Sequence, residues 1–505
     1  MQSDPTPTAS ISRVWERARS GDLRGAALAA RDALHSVAGG MSRAHRVEFH
    51  LVAASCAMRQ GHHAEALRDL DDAVKCADVV PRDEGAALRV EVWRAELAYY
   101  QGRYSAANAI IDRVVDSLEA RGDLAYAAFA LRVRFAILLA HAEYEAVEAG
   151  ADRAIRDAEA SGDDYVLVQV LNVLGATCFD RATSKLPDPH ARAHLSALDP
   201  RDTAPMEEDA RAALHYFERA GAVATRAHYE FAAWYVAGNV ERLQILLGNA
   251  ERAVRAIRRR LKAMQAIGAH YDEIVTRSNL AWGLRVMGLY AEALHELDAA
   301  LVLARDSGTA NVLLEFLEYD RSIVLAALGD MVAARASYRR YLRLVHGWNA
   351  GLRDRPADDP PAAKQKRPLE PYFLKAADRY IEEHLGETIS VEQLARHCEV
   401  SWRTLQMAFA EYRGVTAVAF IRNRRLDDAH RMLCVSAMPV HAVAQRCGFR
   451  SATTFACEYR KRFGMPPSQA RRVAAAGDAR EIAEPIAGVS DGQSGDAGLR
   501  IARTA

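Results

Sequence analysis

A repeat of 40 or 41 residues runs through the first two thirds of this 505-residue sequence and restricts its fold more than any other feature. In each copy an apolar helical segment ends in Gly, and a second helical segment carries a small residue five positions later. Gly permits a tight turn between antiparallel helices, and the small residue lets them cross closely. The pattern therefore predicts about seven helix hairpins. Ala142 replaces the turn glycine once, and the glycines are Gly21, Gly61, Gly102, Gly248, Gly288 and Gly329.

A single hairpin cannot bury its apolar face, so stacked copies are expected to form a solenoid over residues 10–348. This region resembles the tetratricopeptide (TPR) family in its longer variants. An irregular helical array that happens to repeat is the alternative, and both interpretations predict an all-α fold. The period is interrupted between residues 142 and 248, where four prolines lie within residues 187–205. This interval is predicted to hold a further repeat with an inserted loop.

The helical periodicity stops at residue 349, and a different region begins at residue 371. Residues 349–370 contain clustered prolines and charges and are predicted to be a linker. Segments 1–9 and 476–505 have no pattern and are predicted to be disordered. The chain has 66 basic and 66 acidic residues, but residues 371–475 hold 16 Lys and Arg against ten Asp and Glu. The resulting charge of +6 favours a nucleic-acid partner for this region.

Several function classes have no support in the sequence. The seven cysteines are irregularly spaced without a CxxC motif, which argues against a disulfide framework and a metal site. The sequence contains no signal peptide and no run of 18 apolar residues, so a cytoplasmic protein without membrane contact is expected. Phosphate-binding, nucleophile-elbow, zinc-protease and dinucleotide motifs are missing. We therefore expect neither an enzyme nor a cofactor.

Residues 371–475 contain two copies of a helix-turn-helix (HTH) pattern, at about 391–412 and 439–462. In the first copy Ser390 and Gln393 are spaced as a capping box, and Ser401 caps the second helix after a three-residue turn. In the second copy Gly448 marks the turn and Ser451 is the cap. A continuous helix from about residue 416 to 433, roughly 27 Å long, joins the copies and could hold two groove-entering helices about one DNA turn apart.

These motifs strongly resemble the AraC/XylS family of transcription regulators. The match includes residues 401–409 (Ser-x-Arg-x-Leu-Gln-x-x-Phe), 420–429 (Phe-Ile-Arg-x-x-Arg-Leu-x-x-Ala) and 463–467 (Phe-Gly-Met-Pro-Pro). The resemblance implies sequence-specific binding of double-stranded promoter DNA and, more often than repression, activation through RNA polymerase. The combination with TPR-like repeats is similar to Hrp-type regulators of type III secretion genes. The repeats would then bind a protein, peptide or small effector.

The same resemblance implies which side chains contact DNA. Arg403 could bond to guanine and Gln406 to adenine, whereas a solvated Arg403 and a packed Trp402 are the structural alternatives. Met407 and Cys457 stand where many relatives carry Arg, so the second unit is expected to position the protein more than it reads bases. Arg425 is expected to pair with a carboxylate such as Asp428. The predicted base contacts are Trp402, Arg403, Gln406, Met407, Arg450 and Thr453. The predicted DNA-backbone contacts are Ser401, Arg424, Ser451, Arg460, Lys461 and Arg462.

One competing interpretation remains. The chain could be a scaffold whose main task is protein binding, with DNA contact secondary. Deleting residues 371–475 would separate the two, because a scaffold would keep its partner-dependent phenotype and a regulator would lose promoter control.

Overall fold

A computed structural model describes residues 7–36, 41–79, 82–184, 200–307, 309, 312–353 and 368–475. Within these ranges every regular element is a helix, which confirms the all-α fold class. The chain divides into two units, one ending at Pro368 and one beginning at Leu369. Across the described ranges, no helix is both long enough and apolar enough to cross a membrane.

Sixteen helices form the described part of the N-terminal unit. They are α1 (Pro7–Ser20), α2 (Leu23–Ser36), α3 (Arg43–Arg59), α4 (His63–Ala77), α5 (Glu84–Tyr100), α6 (Tyr104–Ala120), α7 (Leu124–Ala140), α8 (Tyr144–Ser161), α9 (Asp164–Ser184), α10 (Pro200–Arg226), α11 (Glu230–Leu246), α12 (Ala250–Ile267), α13 (His270–Val286), α14 (Tyr290–Asp306), α15 (Val312–Ala327) and α16 (Met331–Arg353).

These helices pair into eight hairpins, seven at the predicted turn residues and one in the interval predicted to hold a further repeat. The additional hairpin, α9 with α10, fills the interval in which the period is interrupted. Residues 185–199 of the predicted inserted loop lie outside the described residues. The remainder of that loop prediction is wrong, because α10 begins at Pro200 and residues 200–205 are helical. Proline is well accommodated at a first helical position, where its missing N–H leaves no hydrogen bond unmade.

The turns have the left-handed backbone conformation that the repeat requires. Gly248 has a φ of 87°, and Ala142 adopts the same region with a φ of 56° despite its Cβ. The small residues five positions later are all buried at the crossing of their two helices, as the pattern predicts. They are Ala26, Ala66, Ala107, Val147, Ala253, Ala293 and Ala334.

The first two hairpins contact hairpins far along the chain. Phe231 of α11 packs in one apolar cluster with Leu23 of the first hairpin. Arg59 of α3 donates to Asp272 of α13, 213 residues away, with an Nη1–Oδ2 distance of 3.2 Å. These contacts bring α3, α5, α7, α9, α11 and α13 around a common cavity.

Seven helices form the described part of the C-terminal unit. They are α17 (Tyr372–Glu383), α18 (Val391–His397), α19 (Trp402–Arg413), α20 (Ala417–Val435), α21 (Val440–Arg446), α22 (Ala452–Phe463) and α23 (Pro467–Ala475).

Three of the predicted segment boundaries differ from the structure. Residues 7–9 belong to α1 rather than to a disordered N-terminus, and residues 349–353 continue α16 rather than starting a linker. Glu370 belongs to the C-terminal unit, where its carboxylate binds Arg413. Residues 1–6, 354–367 and 476–505 lie outside the described residues.

Candidate nucleic-acid interface

The first HTH unit consists of α18, a short turn and α19. Ser390 and Gln393 form the predicted capping box, with both reciprocal contacts at 3.1 Å. Ser401 accepts a hydrogen bond from the Thr404 amide at 3.0 Å and so begins α19. Ala395 is buried where α18 and α19 cross. These contacts fix the start of α19 while leaving its first turn open to solvent.

Three of the predicted base-contacting side chains lie on the exposed side of α19. Trp402 is 52% exposed and Met407 is 61% exposed. Arg403 is also exposed and makes no ion pair within the described part of the chain. Leu405 and Phe409, on the opposite side, are fully buried. Packing inside the unit therefore does not account for Trp402 or Met407.

Gln406 has a different environment from its neighbours. It is half-buried, and its side-chain oxygen accepts a hydrogen bond from the backbone amide of Ala417 at 3.3 Å. That amide belongs to the first turn of α20, where helix N–H groups have no partner within the helix. Gln406 thus connects α19 to α20, a contact that no sequence motif indicated.

The second HTH unit, α21 with α22, repeats this construction. Ser451 accepts a hydrogen bond from the Thr454 amide at 3.3 Å, while Phe455 and Tyr459 are fully buried. Thr453 is exposed on the first turn of α22. Arg450 is also exposed, but its guanidinium donates at 3.2 Å to the hydroxyl of Thr388, which lies just before the first HTH unit. The side chains at the open end of α22 are mostly short.

The basic residues predicted to contact the DNA backbone fall into two groups. Arg462 makes a bidentate ion pair with Asp427 at 2.7 and 2.9 Å, which ties α22 to α20, and Arg424 binds Glu382. Lys461 is exposed, and its ion-pair partner among the described residues is Glu458 on its own helix, at 3.0 Å. Arg460 is exposed and has no ion pair within the described residues. Lys461 and Arg460 are therefore the more available for a phosphate.

Arg425 joins the two HTH units, and the expected carboxylate partner is wrong. Its Nε donates to the carbonyl of Leu385 at 3.0 Å, and its Nη1 donates to the carbonyl of Gly448 at 3.3 Å. The third donor, Nη2, binds the Glu387 carbonyl. Leu385 and Glu387 precede the first HTH unit, and Gly448 forms the turn of the second. We call these four residues the Arg425 clamp.

The two loops of the clamp approach so closely that only glycine fits. A Cβ on Gly448, which has a φ of 76°, would lie 2.8 Å from the Leu385 carbonyl oxygen. A Cβ on Gly386 would lie equally close to the Arg446 carbonyl oxygen. The clamp and these contacts therefore hold the two HTH units in one arrangement.

A partly buried charge network fixes α17 against the end of α19. Arg413 binds both Glu370 and Asp378, the latter at 2.7 Å, and Lys375 lies 3.0 Å from Glu370. Burial raises the pKa of Glu370 and lowers the pKa of Lys375 to about 8. Sequence reasoning missed this network because its members are scattered over 44 positions between the linker and α19.

The described residues contain no group of three or more His, Cys, Asp or Glu side chains arranged for a metal ion. Cys457 is exposed on α22, and the other cysteines described are also unpaired.

The profile of the helix-turn-helix domain family matches residues 394–473, which include all of the second HTH unit and all but the first three helical residues of the first. Over 92 residues the chain is 33% identical to the probable transcriptional regulator LumQ of Photobacterium leiognathi, covering 18% of this chain and 37% of LumQ. These matches and the two clamped HTH units identify the domain. The C-terminal unit is an AraC-type helix-turn-helix domain.

The AraC-type domain is also similar to other regulators. Over 93 residues it is 32% identical to the virulence regulon transcriptional activator VirF of Yersinia enterocolitica, covering 18% of this chain and 34% of VirF. A solved transcriptional regulator from Chromobacterium violaceum with an AraC-type DNA-binding domain is 27% identical, covering 20% of this chain and 92% of that structure, with a TM-score of 0.20. The chain spans about a third of the length of the two curated relatives.

Proposed function

We propose that this protein is a transcription regulator that binds promoter DNA through its AraC-type domain. The observation that carries the proposal is a pair of serine-capped helices, α19 and α22, whose first turns are exposed while a shared clamp fixes their arrangement. The connecting helix α20 has 19 residues, and is therefore roughly 28 Å long. Such a spacing suits two contacts with successive turns of one DNA duplex.

Base recognition is assigned mainly to α19. Arg403 donates two hydrogen bonds to a guanine edge, while Trp402 and Met407 make apolar contacts with neighbouring bases. Gln406 keeps an amide group that can donate to a base, but its oxygen is already used at Ala417. Gln406 therefore contributes at least as much to orienting α19 as to reading DNA.

The second unit is assigned mainly a positioning role. Arg460 and Lys461 contact phosphates, as do the amides at the helix starts capped by Ser401 and Ser451. Arg450 and Thr453 are the side chains of this unit that reach bases. Arg424 and Arg462 are already bound to carboxylates, so they contribute positive potential more than direct phosphate contacts.

We also propose how the protein acts in the cell. The protein is a cytoplasmic activator that contacts RNA polymerase, and its TPR-like unit binds the effector or partner that controls it. The similarity to LumQ, a probable transcriptional regulator, and to VirF, a transcriptional activator, supports this assignment and favours a regulatory role over an enzymatic one.

Selection of bound sequences from a random duplex pool tests the proposal with full-length protein. Arg403→Ala should lose preference at one or two base pairs, because one bidentate base contact contributes about 1–3 kcal/mol of discrimination. Lys461→Ala is the matched comparison, since it should weaken binding to all sequences alike and reduce the dependence on salt. An unchanged base preference in Arg403→Ala contradicts the assignment of that side chain. No preference in the wild-type protein contradicts the proposed function itself.

Deletion of residues 371–475 addresses the scaffold alternative in cells. A regulator loses control of its promoters, whereas a scaffold retains its partner-dependent phenotype.

A further inference from the structure

The N-terminal unit contains a cavity of about 240 Å³ between its inner helices. The cavity is lined by side chains from α3, α5, α7, α9, α11, α12 and α13, so both early and late hairpins contribute to its wall. A cavity of this volume has room for several waters or for a small ligand in their place. Such a space suits a small molecule rather than a folded partner.

Each guanidinium in the cavity wall is paired with a carboxylate; Asp272 lines the cavity, whereas Glu96 and Glu241 do not. Arg59 binds Asp272, with an Nη1–Oδ2 distance of 3.2 Å. Arg132 makes a bidentate pair with Glu96 at 3.0 and 2.7 Å, and Arg260 binds Glu241. Each guanidinium therefore already has a carboxylate. An anionic ligand would therefore meet guanidinium groups whose charge is already compensated, which weakens its attraction to the cavity.

Two buried polar groups at the cavity have unused hydrogen-bonding capacity. The hydroxyl of Tyr235 is inaccessible to solvent and has no hydrogen-bond partner. Asn279, only 8% exposed, makes no side-chain hydrogen bond within the described part of the chain. Leaving a buried polar group without a partner costs about 1–3 kcal/mol, so such groups call for an explanation. A carboxamide and a hydroxyl together offer both donors and acceptors.

Further carboxamides lie in the same wall. Asn239 donates to the oxygen of Asn172 at 2.8 Å, and Gln169 accepts from Arg132 at 3.1 and 3.0 Å. Tyr99, Tyr100 and Tyr271 supply aromatic surface nearby. The cavity is thus polar and aromatic, and each of its three guanidinium groups already has a carboxylate partner.

We propose that this cavity binds an uncharged small molecule with adjacent hydrogen-bond donors and acceptors, held by Asn279 and Tyr235. The amide of a short blocked peptide and the hydroxyls of a monosaccharide share this chemistry. The inference rests on the proposed role of the TPR-like unit as a sensor, and it names the ligand class of that unit.

Thermal unfolding of the full-length protein tests the inference without DNA, so its failure leaves the proposed DNA binding intact. The probes are N-acetylalaninamide and D-glucose as the two neutral classes, with acetate and inorganic phosphate as charged controls. At least one neutral probe should raise the unfolding temperature in a dose-dependent way, whereas the charged probes should not. The probe that acts identifies which of the two chemistries the site takes.

Substitutions then locate the binding. Asn279→Leu should weaken binding of the active probe at least tenfold, whereas Asn249→Ala, at a hairpin turn outside the cavity wall, should leave it unchanged. Tyr235→Phe should weaken binding without lowering the stability of the unliganded protein, because its hydroxyl has no partner to lose. The inference is overturned if neither neutral probe stabilises the protein, or if the charged probes stabilise it equally. A marked loss of unliganded stability in Tyr235→Phe would also overturn it.

Discussion

The Arg425 clamp provides the most direct test of how the two HTH units are held together. Arg425→Met keeps the length and much of the apolar contact of the side chain but removes all three donors to Leu385, Glu387 and Gly448. Hydrogen bonds from a charged group contribute about 1.5–3 kcal/mol when well shielded. Because Arg425 is only half-buried, we take about 1 kcal/mol for each, or about 3 kcal/mol in all.

Hydrogen exchange measured on the full-length protein gives the local free energy of opening. A loss of about 3 kcal/mol should accelerate exchange in peptides from α18 to α22 about 100-fold, since about 1.4 kcal/mol corresponds to a factor of ten. Arg431→Met is the matched control, because Arg431 lies on the same helix, is highly exposed and pairs only with Asp428. Arg431→Met should change the hydrogen exchange rates of these peptides little.

DNA binding supplies the second readout of the same variant. Without the clamp the second HTH unit is tethered rather than fixed, so its effective concentration at the second half-site falls. Affinity for a selected duplex should then fall about tenfold, while affinity for a duplex with only the first half-site changes little. Equal exchange and an equal ratio of the two affinities in Arg425→Met and wild type would refute the clamp.

Further substitutions test other features. Ala142→Gly should raise the free energy of unfolding by about 1 kcal/mol, because Ala142 has a φ of 56°, which glycine adopts without strain. Gly248→Ala should lower the free energy of unfolding by a similar amount, since it places a Cβ at a φ of 87°. Urea unfolding measures both changes. Gly448→Ala should destabilise the C-terminal unit more than Gly248→Ala destabilises the N-terminal unit, because its Cβ would also meet the Leu385 carbonyl; hydrogen exchange in each unit reports this. Burial and the nearby Glu119 carboxylate raise the pKa of Asp157 to about 6 from 3.8, so its contribution to stability is present below pH 3.8 and lost as the pH rises through 6. Asp157→Asn should therefore raise the unfolding temperature at pH 7.5 and make the unfolding temperature vary less between pH 4 and 6. Asp152→Asn, at an exposed position on the same helix, should have neither effect. A lower unfolding temperature of Asp157→Asn at pH 7.5 would contradict this reasoning.

Sequence reasoning succeeded where the determining contacts are local. The hairpins follow from turn residues and small residues five positions apart, and the capping box follows from Ser390 and Gln393 three positions apart. Ala142 was recognisable as a turn residue only because it fell in register with the glycines.

Contacts between distant segments were not predictable in the same way. The acceptors of Arg425 are backbone carbonyls, which carry no residue-specific signal, so a carboxylate partner was the natural but wrong expectation. Gln406 accepts a hydrogen bond from the Ala417 amide of α20 because α19 and α20 pack together, and the sequence alone does not show that packing. The carboxamides of the cavity come from helices that approach one another only after several hairpins have stacked. Which side chains touch DNA stays a prediction.

The contact between Arg59 and Asp272 has a consequence for the order in which the protein can form. An open solenoid gains stability one repeat at a time, because each repeat touches only its neighbours. Here the earliest hairpins share an apolar cluster and an ion pair with α11 to α13. A nascent chain emerging from the ribosome cannot complete those contacts until residue 272 has been made, so its first hairpins remain partly unsatisfied during much of translation.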